Sequence, residues 1–133
     1  MGKNGDVFCE DFRKDEDIDK GYFPEGTVHE DVFFSLGELR FVWDKAKSDR
    51  CYAERGFDFR TAAMIFNDDA CITEPDPIHS IDEERYITIG MIDQIAVVLM
   101  VVYTMREEEA TIRIISARKA TKSEREAYFY VNR

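Results

Sequence analysis

No apolar run in this chain approaches the ~20 residues that a bilayer-spanning helix needs. The longest, Ala96 to Tyr103, has the length of a buried strand. Cysteine is scarce. Cys9, Cys51 and Cys71 are odd in number and show no metal-ligand spacing, which favours a reducing cytoplasm. Histidine is scarcer still, with only His29 and His79. The N-terminus is acidic rather than basic and then apolar, so it does not read as a secretory signal. Internal repeats and low-complexity tracts are absent as well.

What remains is enough for one domain with an appendage. The chain has 133 residues, 44% hydrophobic and 13% aromatic, which suffices for a real core. Its formal net charge is -10, unevenly spread. Residues 1–39 hold four Lys/Arg against eleven Asp/Glu, whereas residues 110–133 hold six against two. Overall acidity therefore does not exclude a nucleic-acid partner, provided affinity comes from a local patch. Residues 1–39 read as an acidic N-terminal extension and residues 40–133 as the domain. Acids alternate from Asp15 as in a calcium loop, but Lys20 stands where the sharp-turn Gly belongs and Gly26 where the bidentate Glu belongs. No metal site is expected. His29, in the extension, shows no partner.

Within the domain, Phe41–Trp43 reads as a strand, preceded by Val32–Leu36, which could add another. Asp44 is placed to cap a helix through Arg55, with Gly56 as its stop. Asp58 can cap a second helix, whose Phe59, Ala62, Ala63 and Phe66 form one apolar face. Cys71–Thr73 is a short strand, and Glu74-Pro-Asp-Pro breaks regular structure. Tyr86–Met91 alternates. Ala96–Thr104 is apolar throughout, as a central strand covered on both faces would be. Thr111–Ser116 is the last strand and Thr121–Asn132 the last helix. Short connections make these three strands an antiparallel meander, with Met105–Glu109 as one hairpin link. The expected class is α+β, an antiparallel sheet with helices packed on one face.

The segment from Thr111 to Glu126 concentrates cation. Arg113, Arg118, Lys119, Lys122 and Arg125 gather near a strand–helix junction, and Thr121 and Glu124 have capping-box spacing. Such a cluster on an acidic protein suits phosphate, or else forms a solvated charge set. Arg113 sits among isoleucines, so it faces solvent, pairs with a carboxylate or meets phosphate. Arg118 and Lys119 precede a helix N-terminus, where backbone donors favour anions. Arg113 and Arg118 are candidate phosphate ligands, with structural ion pairs as the alternative. Arg85 follows Glu83-Glu84, which suggests pairing across the sheet.

In order, Phe41-Val-Trp-Asp with Lys47, Gly56-Phe-Asp-Phe with Ala62, Ala63 and Phe66, Asp76-Pro-Ile-His-Ser, Glu83-Glu-Arg-Tyr-Ile-Thr-Ile-Gly and Ile112-Arg-Ile-Ile-Ser-Ala-Arg-Lys-Ala-Thr-Lys-Ser-Glu-Arg resemble the BrnT-type toxins. These are ribonucleases of type II toxin–antitoxin operons. The resemblance implies a RelE-like fold and neutralisation by a ribbon-helix-helix antitoxin, in a heterotetramer of two toxins and two antitoxins. DNA would be touched only through the antitoxin. Two departures stand out. The family's first helix usually ends close to Asn-x-x-Lys-His-Gly, where this chain has Cys51, Glu54, Arg55 and Gly56. Tyr103 stands where many members have His.

RNA cleavage without metal or organic cofactor needs a base for the 2′-hydroxyl, cations for the phosphorane and an acid for the leaving oxygen. The candidate catalytic set is Arg113, Arg118, His79 and Tyr103, and the RNA-phosphate set is Lys47, Arg85, Lys119 and Lys122. An unperturbed imidazole suits acid–base work near neutrality, so His79 is a candidate, but it could instead fix its loop through Ser80 or Asp76. Tyr103 could donate a proton or simply fill a strand position, and Lys47 could be a solvated helix lysine. Trp43 is expected to pack between the first strand and the helices. The rival class is a non-catalytic binding protein that keeps only the antitoxin-docking surface.

Overall fold

The computed structural model describes residues 23–77, 80, 83–106 and 110–131. Among them, six strands form one sheet. They are β1 (Asp31–Leu36), β2 (Leu39–Asp44), β3 (Ile72–Pro75), β4 (Arg85–Ile92), β5 (Val97–Arg106) and β6 (Thr111–Lys119). Helices α1 (Lys45–Arg55) and α2 (Phe59–Ala63) follow β2, with a 3-10 turn at Met64–Asn67, and α3 (Lys122–Val131) follows β6. None of these helices is long and apolar enough to cross a membrane. The calcium-like run from Asp15, the tip of the Met105–Glu109 link and His79 lie outside the described residues.

Local chemistry sets the helix ends. Gly56 closes α1 with a left-handed backbone (φ 87°), its N–H donating to Tyr52 O at 3.0 Å. The Asp58 carboxylate accepts from Thr61 N at 2.8 Å and starts α2. The capping box forms as its spacing demands: Glu124 N donates to Thr121 Oγ1 at 3.2 Å, and Thr121 N donates to Glu124 Oε1 at 2.8 Å. Asp44 sits at the N-cap of α1 but makes no side-chain cap. Its carboxylate instead lies 2.7 Å from His29 Nδ1, so His29 does have a partner.

The sheet runs in the order β1-β2-β6-β5-β4-β3. The meander β4–β5–β6 is antiparallel and β5 is interior, as its apolar run requires. Two expectations need correction. The sheet is mixed rather than antiparallel, because β2 lies parallel to β6. These strands are far apart in sequence, and their parallel pairing uses the long connection through the helices. Nor do the helices share one face. Leu99, Val101 and Tyr103 of β5 pack with Cys51 of α1 and with Phe59, Ala62 and Ala63 of α2. Val98, Met100 and Val102 pack instead with Tyr128 of α3. Consecutive strand residues point to opposite faces, so a strand apolar on both sides calls for cover on both.

The β1–β2 hairpin extends the sheet beyond β6. Gly37 (φ 61°) opens its two-residue turn. Phe34 stacks toward Trp43 at 5.9 Å, and Trp43 toward Phe59 at 6.4 Å, which locks this hairpin to the α1/α2 layer. Residues 31–36 are thus part of the sheet. At the other side, the 3-10 turn presses on β4 where Gly90 has no side chain. A Cβ there would meet Ile65 Cβ and O at 3.0 Å and Cys71 Cβ at 3.2 Å. Gly90→Ala should therefore destabilise the fold by about 1–3 kcal/mol, read as a lower urea midpoint at unchanged slope.

Candidate functional site

Strand register gathers arginines that sequence order scatters. Arg85 of β4 pairs with Thr104 of β5, and Thr104 pairs with Arg113 of β6. Arg113 pairs with Val42, and Val42 with Phe33. One row of side chains therefore crosses the sheet on the α3 face, with Arg85 and Arg113 flanking Thr104. Their Cα atoms stand about 10 Å apart, two strand spacings. The next row carries Arg106, Thr111, Arg40 and Ser35 in the same way. Four guanidinium groups thus rise from two adjacent rows of one face.

A bulge keeps this face polar further along. The register passes from Val102↔Ser116 to Tyr103↔Ile114, leaving Ile115 as the extra residue. Ser116 thereby joins Arg113 on the α3 face. Thr104 Oγ1 and Ser116 Oγ are buried with no hydrogen-bond partner among the described residues. Buried hydroxyls left this way are rare. Arg113 is only a quarter exposed, and its Nη1 donates to Asp31 Oδ1 of β1 at 3.1 Å. A carboxylate from the acidic N-terminal region therefore already sits where an anion would bind.

Arg118 belongs to a different construction. It lies on the same face but roughly 15 Å further along β6. Its Nη1 and Nη2 donate to Glu124 Oε1 and Oε2 at 2.8 and 2.9 Å, a two-pronged pair. Glu124 is fully buried, and the same Oε1 accepts from Thr121 N. The guanidinium thus joins β6 to the first turn of α3 and does not present itself to solvent phosphate. Of the two alternatives open for Arg118, the geometry is that of the structural ion pair. Lys119 and Lys122 are exposed at this same end, away from Arg113.

Tyr103 and Lys47 are on the other side of the sheet. Tyr103 projects into the α1/α2 layer, one residue before Thr104 and opposite to it. Its hydroxyl is 2.9 Å from Thr88 Oγ1, which in turn is 2.8 Å from Thr73 Oγ1. Burial pushes this phenol above its ordinary range, despite those hydrogen bonds, so it holds its proton firmly. Lys47 lies on α1, in the layer packed against the same face as Tyr103. His79 is outside the described residues, but its chain neighbour Ser80 is fixed. The Ser80 hydroxyl donates to Asp76 O at 2.5 Å and accepts from Arg85 N at 2.9 Å, closing the loop onto the start of β4. No group of three or more His, Cys, Asp and Glu side chains comes together as a metal site among the described residues.

Arg40, Arg106, Thr104, Ser116 and Asp31 were not singled out by sequence. Parity along each strand marks Arg106 with Thr104 and Arg40 with Val42, but only the β2–β6 pairing brings the two sets together. Chemically, two arginines astride a buried hydroxyl can hold one phosphate from two sides, and the flanking row can carry the continuing backbone. No curated protein matches the chain. A family model does, over residues 43–124, and it describes the ribonuclease toxin BrnT of type II toxin–antitoxin systems. That span covers more than half of the chain and runs from Trp43 to the capping Glu124, so the chain belongs to the BrnT family of ribonuclease toxins.

Proposed function

We propose that this chain cleaves single-stranded RNA on the arginine-bearing face, by a metal-independent attack of a 2′-hydroxyl on its own phosphodiester. The observation that carries the proposal is the row Arg85–Thr104–Arg113. In this reading the two guanidinium groups hold the scissile phosphate. They stabilise the extra negative charge that gathers on it as the fifth bond to phosphorus forms. A base removes the 2′-hydroxyl proton, the 2′-oxygen bonds to phosphorus, and the bond to the 5′-oxygen breaks. An acid returns a proton to that 5′-oxygen. His79 is the proton carrier in this reading, because an unperturbed imidazole suits acid–base work near neutrality. Arg118 acts by positioning β6 against α3, and Tyr103 by packing. Arg106, Lys119 and Lys122 attract the rest of the RNA.

The fold is read as RelE-like and the setting as cytoplasmic. The partner is a ribbon-helix-helix antitoxin that covers the basic face, in an assembly of two toxins and two antitoxins. Asp31 supports this view of the face, because a carboxylate is held there already. The test is digestion of RNA by purified protein freed of antitoxin, in excess chelator. Fragments ending in 2′,3′-cyclic phosphate are expected. Failure to cut favours the non-catalytic binding protein.

The acidic N-terminal region then competes with substrate through Asp31. Asp31→Asn should tighten RNA binding about 2- to 5-fold at low salt, the scale of one half-exposed ion pair. The gain should shrink as salt rises past the screening regime. Binding curves identical to those of the unmodified protein at low salt would remove Asp31 from any such role.

A further inference from the structure

Strand β1 supplies the Asp31 carboxylate that pairs with Arg113, and it also places a large apolar side chain in the same cross-strand row. Phe33 is 73% exposed on the α3 face. It stands in the same cross-strand row as Arg113, separated from it only by Val42. Next to Phe33 lies a groove of about 230 Å³ lined by Phe33, Phe34, Ser35, Arg40, Phe41 and Thr111. Arg40 is exposed, and it is two residues from Val42 on β2, hence diagonal to both Phe33 and Arg113. An exposed aromatic ring, a hydroxyl and a cation around a shallow groove match the three parts of a nucleotide. The ring takes the π-face of a base, the hydroxyl a sugar or base edge, and the cation a phosphate.

We propose that β1 and the start of β2 form a nucleotide subsite next to the cleavage site, in which Phe33 stacks on an unpaired base and Arg40 binds the adjoining phosphate. The proposal rests on the reading of Arg113 as the ligand of the scissile phosphate. Charge selects RNA over an apolar peptide as occupant: exposed Arg40 is diagonal to the ring and Arg113 stands two strands away in its row, set against the single carboxylate of Asp31 on β1. Residues 31–40, which carry the subsite, precede the span matched by the family model. Stacking is tolerant of base identity, so the subsite lengthens the bound RNA and requires it to be single-stranded rather than reading a sequence.

The experiment uses the full chain and single-stranded 2′-O-methyl oligonucleotides, which lack the attacking hydroxyl and so bind without being cut. Phe33→Ala should weaken binding on the order of 10- to 100-fold, the range for one stacked base. Phe33→Tyr should restore it. Phe33→Trp should show fluorescence quenched on binding, against the background of buried Trp43. Arg40→Ala should lower the slope of log affinity against log salt by about one. Phe33 is exposed, so these variants keep the fold. If the unmodified protein cuts RNA and Phe33→Ala binds and cuts equally well, the subsite is overturned and the proposed function stands. If Phe33→Ala leaves RNA binding unchanged but loses the antitoxin complex, the ring belongs to a protein interface and the subsite is likewise overturned. An unmodified protein that neither binds nor cuts RNA overturns both.

Discussion

Arg113→Ala should lower RNA cleavage by about 10²–10³-fold, the cost of removing one donor aimed at a transition-state oxyanion. The fold should survive. Arg113 is partly solvated, and its ion pair with Asp31 bridges to a carboxylate that is half exposed, so its loss costs about 1 kcal/mol or less. Arg113→Lys should recover only part of the rate, because an ammonium is a point charge and cannot hold two phosphate oxygens in one plane. Arg85→Ala should cause a loss of the same order, since Arg85 flanks Thr104 from the other side. Growth arrest on expression and single-turnover rates on an oligoribonucleotide measure the effect, with thermal melting as the control for folding. Full toxicity in the folded Arg113→Ala protein would remove this residue from the site.

That variant also marks where sequence was a good guide and where it was not. Helix ends were legible, because Asp58, Gly56 and the Thr121–Glu124 box each satisfy backbone groups only a few residues away. The interior place of β5 was legible too, because a strand apolar on both faces has nowhere else to go. Arg113 could be flagged as an arginine among isoleucines. The company it keeps could not. Five cations close together in sequence suggested one patch near the start of the last helix. A strand spreads its residues by about 3.3 Å each, so Arg113 and Arg118 end up at opposite ends of β6. The patch that does form draws Arg40, Arg85 and Arg106 from three other strands, through a register that depends on a parallel pairing between distant segments. The same non-local pairing hid the mixed sheet. Sequence spacing also could not say that Glu124 would face Arg118 as well as cap its own helix.

Glu124→Ala should be among the most destabilising single changes in the domain. Removing the carboxylate leaves the Arg118 guanidinium, about nine-tenths buried, without the partner that takes both its Nη1 and Nη2. Breaking one side of a buried pair costs about 3–5 kcal/mol, and the lost cap at Thr121 N adds about 1 kcal/mol. Arg118→Ala should be destabilising for the mirror reason, and any loss of toxicity it shows will come from unfolding. The informative variant is the double one, Arg118→Met with Glu124→Leu. Replacing a buried ion pair by apolar side chains of similar volume is often neutral or stabilising, so most of the loss should return. Denaturant midpoints for the two singles and the double give the coupling directly. The refolded double variant then decides the role of Arg118. With Arg113 and Arg85 intact it should cleave RNA at close to the unmodified rate. A double variant that is folded yet inactive would return Arg118 to the phosphate, and would mean that the Glu124 pair opens when RNA binds.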